Sequence, residues 1–174
     1  MKRARSKDRT LLIGSWIVMS GILFAFVPRR NSRQAIVPFF FMQFLTWIFG
    51  LIVVENKLIT YPRRLFFTKV NQASFTFEFF IFPATCVLFN LYYPRTTSLI
   101  RKAIYYSAYI FTLTGLEVFA KINTKTIRYM KWKWQYSFVS MWIFFYFSRL
   151  YYRWFFKEEP ISSSRKKDEN DTNI

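Results

Sequence analysis

The 174-residue chain has no histidine, one cysteine and four glycines, and its 9 acidic residues face 26 lysines and arginines. Each shortage removes a chemistry. Without histidine, the commonest general base, the Ser-His-Asp triad and most zinc sites are excluded. The lone cysteine, Cys86, forms no intrachain disulfide and no thiolate cluster, so it carries no information about redox compartment. Gly14, Gly21, Gly50 and Gly115 all fall inside apolar runs, which leaves no glycine-rich loop to cradle a phosphate. No cofactor and no metal site are expected. A carboxylate pair could act as an aspartic-type dyad, but no catalytic signature surrounds either candidate acid, and a non-enzymatic protein is expected.

What the chain has in excess is apolar and aromatic matter. It is 53% hydrophobic and 23% aromatic, with 23 phenylalanines, more than a soluble domain of this size can bury. The formal charge is +17. Apolar blocks separated by basic punctuation are the pattern of a multi-pass membrane protein. A nucleic-acid binder could share the charge but would not combine it with uncharged runs of about 20 residues, so no nucleic-acid partner is expected. The basic connections are read as topology signals and as contacts for anionic phospholipid headgroups.

Five segments read as transmembrane helices: residues 11–27, 35–54, 73–93, 103–122 and 135–154. Each approaches the ~20 residues needed to cross the hydrocarbon layer. The expected fold is therefore all-α: a polytopic membrane helix bundle occupying residues 1–157 as one domain, with a polar, disordered tail over 158–174. The first segment lacks a small-x-small cleavage site and is read as a retained helix rather than a signal peptide. Gly14, Gly21 and Ala25 recur along it at helical spacing, which predicts close approach of a neighbouring helix. Pro38 is placed in the first turn of its helix, and Pro28, Pro62, Pro94 and Pro160 in connections. The two sides of the bundle carry similar numbers of cations. Discounting those of the far tail, the balance favours a cytoplasmic N-terminus and an external C-terminus.

Glu78 and Glu117 are the only acids inside the expected spans. They are equally far from the midpoint of the connection between the third and fourth helices. In an antiparallel hairpin that places them at one depth, roughly 8 Å inside the boundary facing the second and fourth connections. Glu78, Thr85 and Cys86 fall near one face of the third helix, with Asn90 drifting off it; Ser107, Thr114, Glu117 and Lys121 follow helical spacing on the fourth. These eight residues are expected to form a polar seam between the two helices, since an acid facing lipid would cost on the order of 3 kcal/mol. Pro83 cannot donate to the carbonyl of Phe79, so a kink is expected there, with an acceptor freed beside Glu78. Lys121, one turn beyond Glu117, is expected to hold that acid charged. Two readings remain open: interhelical glue, or a proton, ion or substrate site.

In the connections, Arg63 and Arg64 follow Pro62, while Lys131, Trp132, Lys133 and Trp134 alternate cation and indole after Arg128. Indoles prefer the headgroup layer and lysines reach phosphate, which makes this run an expected interfacial anchor.

The stretches "YPRRL", "FEFFIFPATCVLFN" and "LEVFAKINTKTIRYMKWKWQYSF" together resemble an uncharacterised family of small multi-pass membrane proteins common in endospore-forming bacteria. The matching positions are Glu78, Phe82, Pro83, Cys86 and Asn90, then Glu117, Thr124, Ile127 and Tyr129, then Trp132, Trp134, Ser137 and Phe138. Lys121 departs from the pattern, where relatives often carry a second acid, and no glycine precedes the tryptophans. The resemblance covers roughly residues 11 to 155. It implies a bacterial multi-pass membrane protein and no particular mechanism. The expected role is a scaffold or accessory component of a membrane or sporulation-related assembly, with a membrane-protein partner or a homo-oligomer as its setting. The alternative is a small proton-coupled or ion-conducting transporter using the carboxylate pair.

Overall fold

The structure, a computed structural model, describes residues 2–61, 76–95, 98–124 and 127–157. Arg63, Arg64, the start of the third expected span and the 158–174 tail lie outside the described residues. Among those described there are five α-helices: α1 (Lys2–Phe26), α2 (Ser32–Glu55), α3 (Phe82–Leu91), α4 (Leu99–Asn123) and α5 (Trp134–Phe156). Three helical stretches are long and apolar enough to cross a membrane: Arg9–Phe26, Arg29–Glu55 and Leu99–Asn123. A two-stranded antiparallel pair, β1 (Ile59–Thr60) with β2 (Arg128–Tyr129), joins the connection after α2 to the one after α4.

Local chemistry sets the helix ends. Before Pro28 the α conformation is disfavoured, and α1 stops at Phe26. One 3-10 turn, Arg29–Asn31, leads into α2. Because α2 begins at Ser32, Pro38 sits in the helix interior and is buried there, not in the first turn as expected. At the other end of α2, the N–H of Leu58 reaches the Val53 carbonyl at 3.0 Å and that of Lys57 the Val54 carbonyl at 2.9 Å. This is a Schellman cap, with Lys57 (φ 54°) in the left-handed position that glycine usually takes. The cap turns the chain out of the helix and into β1.

Pro83 shapes the bundle more than any other residue. Its missing N–H could have bonded the carbonyl four residues back, Phe79, or five back, Glu78. Upstream of it, Phe77–Ile81 widens into a single π-turn, with the Phe82 N–H bonded to the Phe77 carbonyl. The two carbonyls that lose a donor are met from α2. Gln43 Nε2 donates to the Phe79 carbonyl at 3.1 Å, and the Thr46 hydroxyl lies 2.7 Å from the Glu78 carbonyl. The expected freed acceptor is thus present at Phe79, and a side chain that the sequence did not single out satisfies it. Correspondingly, α2 makes its closest packing against α3 and the π-turn.

The core is aromatic. Met42, Phe82, Cys86, Phe89, Ile110 and Phe145 are buried in one cluster drawn from α2, α3, α4 and α5. Phe89 meets Phe145 and Tyr106 edge-on, each at 4.8 Å, the geometry that ring quadrupoles favour. The seam between α3 and α4 is limited, while α4 packs mainly on α5. α1 lies at the edge. Trp16 stacks on Phe80 at 4.0 Å and its indole N–H donates to Thr76. No described residue meets Gly14 or Gly21 closely, so the expected close helix approach at these glycines does not occur among the described residues.

Replacing Gln43 with leucine should remove a donor from the part-buried Phe79 carbonyl and destabilise the protein by about 1–2 kcal/mol. In a Pro83→Ala background, which restores an N–H, the same replacement should cost clearly less. Thermal unfolding in detergent of the wild type, both single variants and the double variant measures this; equal costs in both backgrounds would contradict the assignment.

Candidate functional site

Both internal acids line one cavity of about 60 Å³ near the β1–β2 end of the bundle. That volume holds a few water molecules. Glu78 enters from the π-turn and Glu117 from α4, and their residues retain only 8% and 6% of their exposure. At that burial neither carboxylate keeps a full hydration shell, so its partners must come from the protein. Tyr61, just beyond β1, donates to Glu78 Oε1 at 3.0 Å. Tyr129, in β2, donates to Glu117 Oε1 at 2.6 Å, and the Ser137 hydroxyl of α5 donates to the same oxygen at 2.8 Å. The indole N–H of Trp132 in turn donates to Ser137 at 2.8 Å, which orients that hydroxyl toward the acid. Burial, followed by the charge of Glu78, pushes the Tyr61 phenol well above its ordinary range; burial and then Glu117 do the same for Tyr129. At neutral pH both phenols are therefore protonated and act as donors to the carboxylates.

Gly50 makes room for this arrangement. It is the only glycine of α2, and a Cβ built there would overlap the Glu78 carboxylate. The remaining walls are largely apolar, among them Phe49, Phe82, Met141 and Phe144.

The expected seam between the third and fourth helices is redistributed. Thr85 bonds the Ile81 carbonyl of its own helix at 2.8 Å. Cys86 and Asn90 face α5 rather than α4: Cys86 Sγ lies 2.8 Å from Ser148 Oγ, and Asn90 Nδ2 donates to the same oxygen at 2.9 Å. On α4, Thr114 points to Met141 Sδ of α5 at 3.5 Å. Ser107 is half-buried and joins no hydrogen bond among the described residues. Lys121 is exposed, with its ammonium 4.1 Å above the Tyr129 ring. It therefore reaches Glu117 through the phenol that bonds the acid, not as the direct ion-pair partner expected. The physical reason for these departures is packing: α5 inserts beside both helices, so polar groups a few turns below the acids meet its serine.

The connections also differ in part. Arg128, Lys131, Lys133 and Trp134 are exposed, as an interfacial anchor requires. Trp132 is not an anchor. Its ring packs edge-on against Phe49 at 6.2 Å and its N–H is committed to Ser137. Sequence reasoning missed Gly50, Gln43, Thr46 and Tyr61 as site residues. The signal available was that Gly50 interrupts an apolar run otherwise rich in bulky side chains. It also passed over Arg149 of α5, whose guanidinium lies 4.2 Å over Tyr93 and 5.5 Å over Tyr152, a cation–π arrangement on the far side of the Cys86–Asn90–Ser148 cluster from the acids.

No family profile, curated protein or solved structure matches the chain.

Gly50→Ala should destabilise the protein by about 1–3 kcal/mol, since the Glu78 carboxylate must move from its position. The loss should largely vanish in a Glu78→Ala background, where the overlapping group is gone. Detergent melting curves of the two singles and the double provide the comparison, and an undiminished loss would place Glu78 elsewhere.

Proposed function

We propose that this chain is a multi-pass integral membrane protein of a bacterial cell membrane that acts as a scaffold or accessory component, without catalysis. Three stretches of spanning length and apolarity support the membrane setting, and α5 together with the Phe77–Leu91 helical stretch brings the expected number of passes to five. The observation that carries the reading is the use made of the two acids. Each accepts hydroxyl hydrogen bonds from the chain's own connections or from α5, so the acids bind the bundle to its cap. Hydrogen bonds in this setting contribute about 0.6–2 kcal/mol each. Arg128, Lys131, Lys133 and Trp134 are exposed at the same end and suit anionic phospholipid headgroups. The family resemblance supports the bacterial membrane setting, and a sporulation-related assembly with a membrane-protein partner or a second copy is the proposed context.

One observation favours a second reading, a small proton-coupled or ion-conducting transporter: the two carboxylates share a cavity large enough for water. Reconstitution in liposomes of mixed phosphatidylethanolamine and phosphatidylglycerol separates the two. The scaffold reading expects proton and alkali-cation flux equal to that of protein-free vesicles. Flux that Glu117→Gln abolishes would replace it with the transporter.

A further inference from the structure

The walls of the acid cavity differ in kind. α2, the π-turn, α3, α4 and α5 supply most of them, and moving any of these means breaking helical ladders or the aromatic core. The remaining wall among the described residues is non-helical: Ile59 and Tyr61 from the first connection, Ile127 and Trp132 from the second. Among the described residues these two connections are joined by two ladder pairs, Ile59 with Tyr129 and Thr60 with Arg128, and by the Leu58 carbonyl, which accepts from the N–H groups of Met130 and Lys131. Such a short ladder is marginal by itself and depends on what it packs against. It is held to the bundle in three ways, one of them the Trp132 indole N–H on Ser137 of α5. Ile59 and Ile127 are buried against Val53, forming a plug. Tyr61 and Tyr129, one from each connection, donate to the two acids.

We infer that the β1–β2 pair is a lid over the carboxylate cavity, latched by the hydroxyls of Tyr61 and Tyr129, and that its opening admits water and small cations to Glu78 and Glu117. The structure captures the latched form. In that form each latch donates to the carboxylate that it covers, so the lid and the buried acids stabilise each other. When the lid lifts, water replaces both phenols, and the main cost is exposure of the Ile59 and Ile127 plug. No helical ladder has to break, so this wall moves at lower cost than any helix around it. The lid goes beyond the scaffold reading and stands whether or not ions cross the bundle.

The test places a reporter inside. Ser140 lines the cavity from α5, and Ser140→Cys supplies a near-isosteric thiol. Its rate of modification by 2-aminoethyl methanethiosulfonate, read by peptide mass spectrometry in liposomes, reports access. Native Cys86, buried in the core, stays unmodified while the chain is folded and serves as the folding control. Removing both latches with Tyr61→Phe and Tyr129→Phe should raise the Ser140→Cys rate at least fivefold and leave Cys86 untouched. Cross-linking the lid to α2 with Val53→Cys and Ile127→Cys, which pack in one buried cluster, should lower the rate at least fivefold against the uncross-linked chain. Access unchanged by the cross-link would overturn the proposal. Should the phenylalanine variant also expose Cys86, the cross-linked pair decides alone. The flux assay is independent of this result: a working lid with no flux leaves the scaffold reading intact, and flux through a chain whose cross-link changes nothing removes the lid alone.

Discussion

A proline that cannot donate a hydrogen bond organises this molecule. Inside an apolar bundle a carbonyl without a donor costs on the order of 1–3 kcal/mol, and Pro83 removes the donor for a buried stretch. The helix responds by widening through Phe77–Ile81, and α2 responds with Gln43 and Thr46. Those two polar side chains fix the register of α2 against the π-turn. That register brings Gly50 opposite Glu78, which lets the carboxylate fit where any side chain would exclude it. The position of one acid is thus a consequence of backbone accounting several residues away.

The second acid is placed by different means. Glu117 lies on a regular stretch of α4 and is met by groups that come from beyond its helix: Tyr129 from β2 and Ser137 from α5, the latter held by Trp132. The two acids therefore share a cavity while being secured by separate sets of donors, Glu78 through the first connection and Glu117 through the second. The β1–β2 pair unites the sets. Burying two carboxylates is unfavourable unless each is well bonded, and the arrangement meets that condition by drawing both connections down onto the bundle.

Polar groups lower in the bundle follow a separate logic. Cys86, Asn90 and Ser148 form a compact cluster between α3 and α5, with Arg149 between the rings of Tyr93 and Tyr152 next to it. In a bundle whose core is mostly phenylalanine and tyrosine, apolar packing alone discriminates weakly among helix rotations, because rings accommodate several edge-to-face geometries. A few hydrogen-bonded polar positions select one rotation. Acids at the capped end and the Asn–Cys–Ser cluster nearer the other serve this purpose at two levels.

Several features were legible in the sequence because they depend on local composition and period. Helices cover most of the described residues of the five apolar segments, Glu78 and Glu117 line one cavity, and the carbonyl beside Pro83 takes an outside donor; chain length, helical rise and a missing N–H make each legible. What the sequence could not decide is which neighbour each polar face meets. Helical spacing puts Cys86 and Asn90 on a face, but only the packed bundle turns that face to Ser148 of α5 instead of toward α4. In the same way, alternation of lysine and tryptophan marks an interface, yet tertiary packing turns Trp132 inward to Ser137 while Trp134 stays out. The physical reason is that period and composition are properties of a single segment, whereas rotation and partner choice arise from hydrogen bonds and ring contacts between segments far apart in the chain.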